Sequence, residues 1–150
     1  MAVASLAFKD AYPGASGSVV FTETAGGVEI STQVMYGAEG HAGLHGIHLH
    51  ETGDCSAADY TSAGGHFNPT GVAHGGPDAE VHHAGDFGNI EIGEDGSGSL
   101  ELTSTMLGFD GESSLVDRAV ILHAGEDDLT SQPTGAAGAR DACGVAKLKM

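Results

Sequence analysis

The sequence predicts an all-β chain: eight short antiparallel strands closed into a barrel or sandwich, with two long loops that carry the chemistry. Three observations predict this. Short segments alternate apolar and polar residues, glycine-rich turns separate them, and no segment has a helical apolar stripe.

In chain order, AVASLAF (2–8) and SVVFTE (18–23) read as strands of period two, joined by the turn YPGASG. VEISTQVMY (28–36) follows the turn TAGG, and LHGIHLHE (44–51) alternates in the same way. FGNIEI (87–92) and SLELTST (99–105) flank the turn GEDGSG. RAVILHA (118–124) follows LGFDGESS, and GVAKLKM (144–150) closes the set. Two connections break this rhythm, from about residue 52 to 86 and from about 125 to 142. Irregular loops beyond about 15 residues are uncommon in compact domains and tend to be functional or disordered. These two hold most of the chemically specific residues, so function is the better reading.

At 150 residues and 15.0 kDa the chain suits one domain, 1–150, with room for a continuous core. Its 25 glycines and lack of tryptophan fit many tight turns and a core of small side chains. Twenty-one acids against five bases give a formal charge of −16. So acidic a surface repels phosphate backbones, which argues against nucleic acid and anionic membranes as partners. No apolar run approaches the roughly 20 residues of a membrane span. The first dozen residues lack the basic and long apolar regions of a signal peptide, which fits either a cytosolic protein or a mature chain.

Cys55 and Cys143 belong to no CxxC pair, so a structural zinc knot is not indicated. They are either two buried thiols or one disulfide. A disulfide closing so long a loop would stabilise the fold by about 4–5 kcal/mol.

Nine histidines occur, at 41, 45, 48, 50, 66, 74, 82, 83 and 123. His48 and His50 sit at i and i+2 of a strand, so both imidazoles project from one face. His123 ends another strand and joins them only if the barrel brings it alongside. The loop adds His66, His74, His83 and Asp86, with His83 and Asp86 in HxxD spacing. Sets of nitrogen alone suit copper, and mixed nitrogen and carboxylate sets suit zinc. The chemistry therefore predicts two metal sites, one built on strands and one on the loop.

With those residues in view, the sequence resembles the copper/zinc superoxide dismutases. The motifs are GLHGIHLHETGDC (43–55), TSAGGHFNP (61–69), HGGP (74–77), HHAGDFGNI (82–90), ILHAGEDDL (121–129) and GARDACGV (138–145). The resemblance implies a Greek-key barrel that disproportionates superoxide to dioxygen and hydrogen peroxide by copper redox cycling. On matching positions it implies His48, His50, His66 and His123 as copper ligands. His66, His74, His83 and Asp86 correspond to the zinc ligands, so that His66 bridges the two metals and carries a proton in the reaction. Asp127 corresponds to the aspartate that accepts hydrogen bonds from His48 and His74, and Arg140 to the arginine that holds the anionic substrate. Cys55 and Cys143 correspond to the family's disulfide, and His45 to a histidine that braces the barrel.

His82 adjoins His83 but lacks the spacing to Asp86, His41 has no counterpart, and Asp78 and Glu80 read as surface. Residues 129–139, LTSQPTGAAGA, carry no charge, which predicts weak electrostatic steering or steering from elsewhere in the chain. The loop features resemble bacterial members, which implies a periplasmic or extracellular location, with cytoplasmic as the alternative; a homodimer is possible. The rival functions are a non-catalytic copper/zinc-binding relative, such as a metal carrier or interaction domain, and a zinc hydrolase. A four-ligand zinc set leaves no open position for the hydrolase.

Overall fold

The computed structural model describes residues 1–37 and 41–149. Its strands are β1 Ala2–Phe8, β2 Ser16–Thr24, β3 Gly27–Met35, β4 Gly43–His50, β5 Asp86–Ile92, β6 Ser97–Ser104, β7 Ala119–His123, β8 Arg140–Val145 and the two-residue β9 Lys147–Leu148. Single 3-10 turns span Thr61–Ala63 and Gly111–Ser113. The strand order is β5-β4-β7-β8-β1-β2-β3-β6, antiparallel throughout, with β9 added beside β1. The β3–β4 and β6–β7 connections pass between strands that are not neighbours, which makes a Greek key. The outer strands β5 and β6 approach each other, so eight strands form a near-closed barrel.

The eight-stranded all-β expectation holds, with a shift at the end of the chain. Strand eight begins at Arg140 rather than residue 144, and the second long connection is therefore 124–139. The ladder stops at Ala146, whose N–H donates instead to Arg118 O and whose carbonyl accepts from Asp117 N. That break separates β8 from β9.

Side-chain parity explains the layout. Along β3, Val28, Ile30, Thr32 and Val34 are buried while Glu29 and Gln33 face solvent. Strand β7 is buried at every position because both of its faces are covered. Val120 and Leu122 join the main core, whereas Ala119 and Ile121 pack outside with Tyr60, Ala63 and Cys143. In β4, Ile47 and Leu49 point into the core and leave His48 and His50 on the outer face, beneath the loops.

The 51–85 loop is held against that outer face. A disulfide joins Cys55 to Cys143 of β8, so the two cysteines are one bridge, not two thiols. Tyr60 Oη donates to Ala7 O at 2.9 Å. Beyond β4, Phe67 N donates to Leu49 O at 2.8 Å, and Leu49 N donates to Gly85 O at 2.9 Å. Gly85 is required there, since a Cβ would run into Leu49 O.

Candidate metal centre

Register irregularities lie where the strands present their histidines. The β4–β5 register shifts between Gly46 and His48, and the β7–β8 register shifts between Leu122 and His123. Such irregularities re-aim a side chain. An isolated bridge between His50 and His66 brings the loop histidine beside β4.

Among the described residues three clusters could hold a metal ion: two groups of four, and His48, His74 and Asp127, which lie between them. In each, the candidate ligand atoms lie within 4.8 Å of one another, and every residue is buried. The first comprises His48, His50, His66 and His123; the second comprises His66, His74, His83 and Asp86.

In the first group each outer nitrogen has a partner. His48 Nε2 donates to Asp127 Oδ2 at 2.7 Å, His50 Nδ1 to Gly64 O at 2.8 Å, and His123 Nδ1 to Gly138 O at 3.1 Å. These contacts fix the tautomers, so the inner nitrogens carry lone pairs. His48 Nδ1, His50 Nε2, His66 Nε2 and His123 Nε2 are buried and find no hydrogen-bond partner among the described residues. Four orphaned imidazole nitrogens facing one point fit a metal ion, since unsatisfied buried acceptors are otherwise costly.

The second group converges on Asp86. Its Oδ1 lies 3.0 Å from His66 Nδ1, 2.9 Å from His74 Nδ1 and 3.3 Å from His83 Nδ1. His66 Nδ1 and His83 Nδ1 are 3.2 Å apart. A tetrahedral zinc ion with bonds of about 2.0–2.2 Å separates its ligand atoms by about 3.3–3.6 Å, so the set accommodates zinc with an outward shift of a few tenths of an ångström. Asp86 Oδ2 accepts the amides of His83 at 2.7 Å and Gly75 at 3.2 Å, which aims Oδ1 at the imidazoles.

Electrostatics favour unprotonated inner nitrogens. Burial, reinforced by neighbouring imidazoles, holds the His48 and His50 pKa values well below the ordinary histidine value. Burial likewise lowers His123 to about 4. Burial pushes the Asp86 carboxyl up, but hydrogen bonds from His66 and the His83 amide outweigh it and leave a net lowering.

The remaining sequence candidates also have places. Asp127 Oδ1 accepts from His74 Nε2 at 2.8 Å while its Oδ2 takes His48, so this one carboxylate touches both groups. Arg140, opposite His123 across the β7–β8 ladder, is half-buried; its Nη1 donates to Tyr60 O and its Nη2 to Gly64 O, both at 2.8 Å. Gly64 O thus serves His50 and Arg140 together. His45 Nδ1 lies 2.9 Å from His123 O, and its Nε2 lies 2.7 Å from His41 O. His82 Nδ1 donates to His83 O at 2.7 Å and belongs to neither group. His41 stacks on Tyr36, with ring centroids 4.3 Å apart. Asp128 closes a local turn through Thr130 and Ser131.

Sequence reasoning missed the carbonyls of Tyr60, Gly64 and Gly138, because a main-chain acceptor leaves no residue-type signal. Asn89 and Gln132, which grip Asp127 and His74 through the backbone, were missed too. A groove of about 970 Å³ along β2, β3 and β6 shares no lining residue with either group.

The family model described as copper/zinc superoxide dismutase (SODC) matches residues 15–146. The chain belongs to the copper/zinc superoxide dismutase family. Among solved structures, the crystal structure of the clock protein EA4 is similar, with a TM-score of 0.87 and 33% identity. That match covers 99% of this chain and 94% of the other. Both findings agree with the barrel, the disulfide and the two metal-competent groups of a copper/zinc superoxide dismutase family member.

Proposed function

We propose that the chain is a superoxide dismutase, converting two superoxide anions and two protons to dioxygen and hydrogen peroxide. One observation carries the reading: four orphaned imidazole nitrogens share His66 with a three-nitrogen, one-carboxylate group, beside a half-buried arginine. His48, His50, His66 and His123 would hold copper, and His66, His74, His83 and Asp86 would hold zinc. Bound copper supplies the one-electron redox chemistry that oxidises one superoxide and reduces the next.

The chain's own groups do the rest. Arg140 gives the anionic substrate a fixed positive charge, its guanidinium immobilised by the Tyr60 and Gly64 carbonyls. His66 Nε2 takes up and returns a proton, as peroxide formation requires, while His66 Nδ1 stays oriented against Asp86 and His83. Asp127 orients His48 and His74. The Cys55–Cys143 disulfide is the basis for proposing a periplasmic or extracellular location.

The description of the similar structure as a clock protein favours a second reading, a metal-binding relative that does not dismutate. Metal analysis combined with superoxide decay, on wild type and His123→Ala, separates the two. Bound copper and zinc with fast decay, lost in His123→Ala, is expected. Full copper and zinc loading without catalysed decay in wild type would leave the second reading.

A further inference from the structure

The chain has only four side-chain amides, Gln33, Asn68, Asn89 and Gln132. Three of them make the same two-point contact, donating to and accepting from the main chain of a single residue. Asn68 pairs with Val72, through Nδ2 to Val72 O at 2.8 Å and Val72 N to Oδ1 at 3.0 Å. Asn89 pairs with Asp127 at 3.0 and 2.8 Å. Gln132 pairs with His74: Nε2 donates to His74 O at 2.8 Å, and His74 N donates to Oε1 at 2.7 Å. A carboxamide used this way imitates the edge of a strand for a loop residue that has no strand beside it.

Gln132 differs from the other two in what it joins. It reaches from the 124–139 loop to the 51–85 loop and grips a residue whose imidazole belongs to the second metal group. Its remaining N–H donates to Thr130 O at 2.9 Å, so the side chain is itself fixed. His74 is followed by Gly75 and Gly76, and the local chain offers little stiffness of its own. Since His74 Nε2 also donates to Asp127 Oδ1, Gln132 and Asn89 hold the main chain at both ends of one hydrogen bond.

We propose that Gln132 is a positioning residue for His74: by fixing its main chain it sets the imidazole between Asp86 and Asp127 and governs how long zinc is retained. This role rests on the zinc site of the proposed function. The physical reason is preorganisation. A ligand on an irregular loop loses conformational freedom when it binds metal, and a partner that has already restricted the backbone removes that cost from the binding step.

The test uses the full chain loaded with copper and zinc and follows zinc release to a chromophoric chelator. Gln132→Ala removes the contact, and Gln132→Met fills the same space without hydrogen bonds. Val34→Ala, a core truncation in β3, controls for a general loss of stability. Both Gln132 variants should release zinc about 10-fold faster, in line with the loss of a group that orients a metal ligand. They should also lose hydrogen-exchange protection at the His74 amide while keeping the copper absorption band. Wild-type release rates in Gln132→Met, or an equal acceleration in Val34→Ala, overturn this role alone. A wild-type chain that takes up no zinc overturns the proposed function and this role together.

Discussion

His48 and His74 donate to opposite oxygens of one carboxylate, Asp127 Oδ2 at 2.7 Å and Oδ1 at 2.8 Å. The strand-built group and the loop-built group therefore meet twice, directly at His66 and indirectly at Asp127.

Asp127→Asn keeps the shape but offers one acceptor where two donors need one each. One histidine then faces an N–H instead of an oxygen and loses its fixed tautomer. Metal affinity should fall about 10–100-fold at the affected site, read by competition against a chelator of known affinity. Wild-type affinity at both sites would show that the carboxylate's second oxygen is dispensable.

Gly135 packs directly on this contact. Its φ is +79°, and an added Cβ would meet Asp127 Oδ1 and lie 2.6 Å from His74 Nε2. Gly135→Ala combines a left-handed backbone penalty of about 1–2 kcal/mol with displacement of the hydrogen bond. The expected outcome is accelerated zinc loss with a lowered melting temperature. Retained zinc with only a small loss of stability would mean that the 124–139 loop moves aside freely.

Acid should destabilise the metal-free chain over a defined range. An unfolded histidine binds its proton near pH 6.5, whereas folded His123 does so only near 4, and His48 and His50 are also held low. Between those values the unfolded state binds more protons, so stability is full above about pH 6.5 and falls as the pH drops toward 4. His123 alone accounts for up to about 3 kcal/mol. Denaturant melts of the metal-free chain at several pH values check this; a flat profile from pH 7 to 4 contradicts it.

Salt should act in the opposite direction. A formal charge of −16 makes the folded chain repel itself, and salt shortens the Debye length from about 30 Å at 0.01 M to about 3 Å at 1 M. A gain of about 1–2 kcal/mol is expected across that range, roughly 2–8 °C in melting temperature at this chain length. If the chain has the proposed superoxide dismutase activity, the rate of superoxide decay in the same series should not fall steeply, because residues 129–139 carry no charge. A steep fall in rate with added salt would reveal steering from another part of the chain.

Much of the candidate site was legible because imidazoles are chemically distinct ligands and the histidines cluster in one strand and one loop. The i, i+2 spacing of His48 and His50 placed both on one strand face, and the spacing to Asp86 pointed to His83 over His82; the structure groups His83 with His66, His74 and Asp86. The start of β8 was not legible. Arg140 and Asp141 are polar, yet Arg140 pairs with His123 and the Asp141 carbonyl accepts the Lys9 amide, and a polarity pattern cannot show a backbone pairing set from a distance.

By itself the sequence determined the alternation that makes the strands, the turns between them and the identities of the side chains able to hold metal. Those follow from local stereochemistry and from ligand chemistry, both of which a residue carries with it. Only the tertiary structure decided which nitrogen of each imidazole faces inward. That choice belongs to partners elsewhere in the chain, the carbonyls of Gly64 and Gly138 and the carboxylate of Asp127.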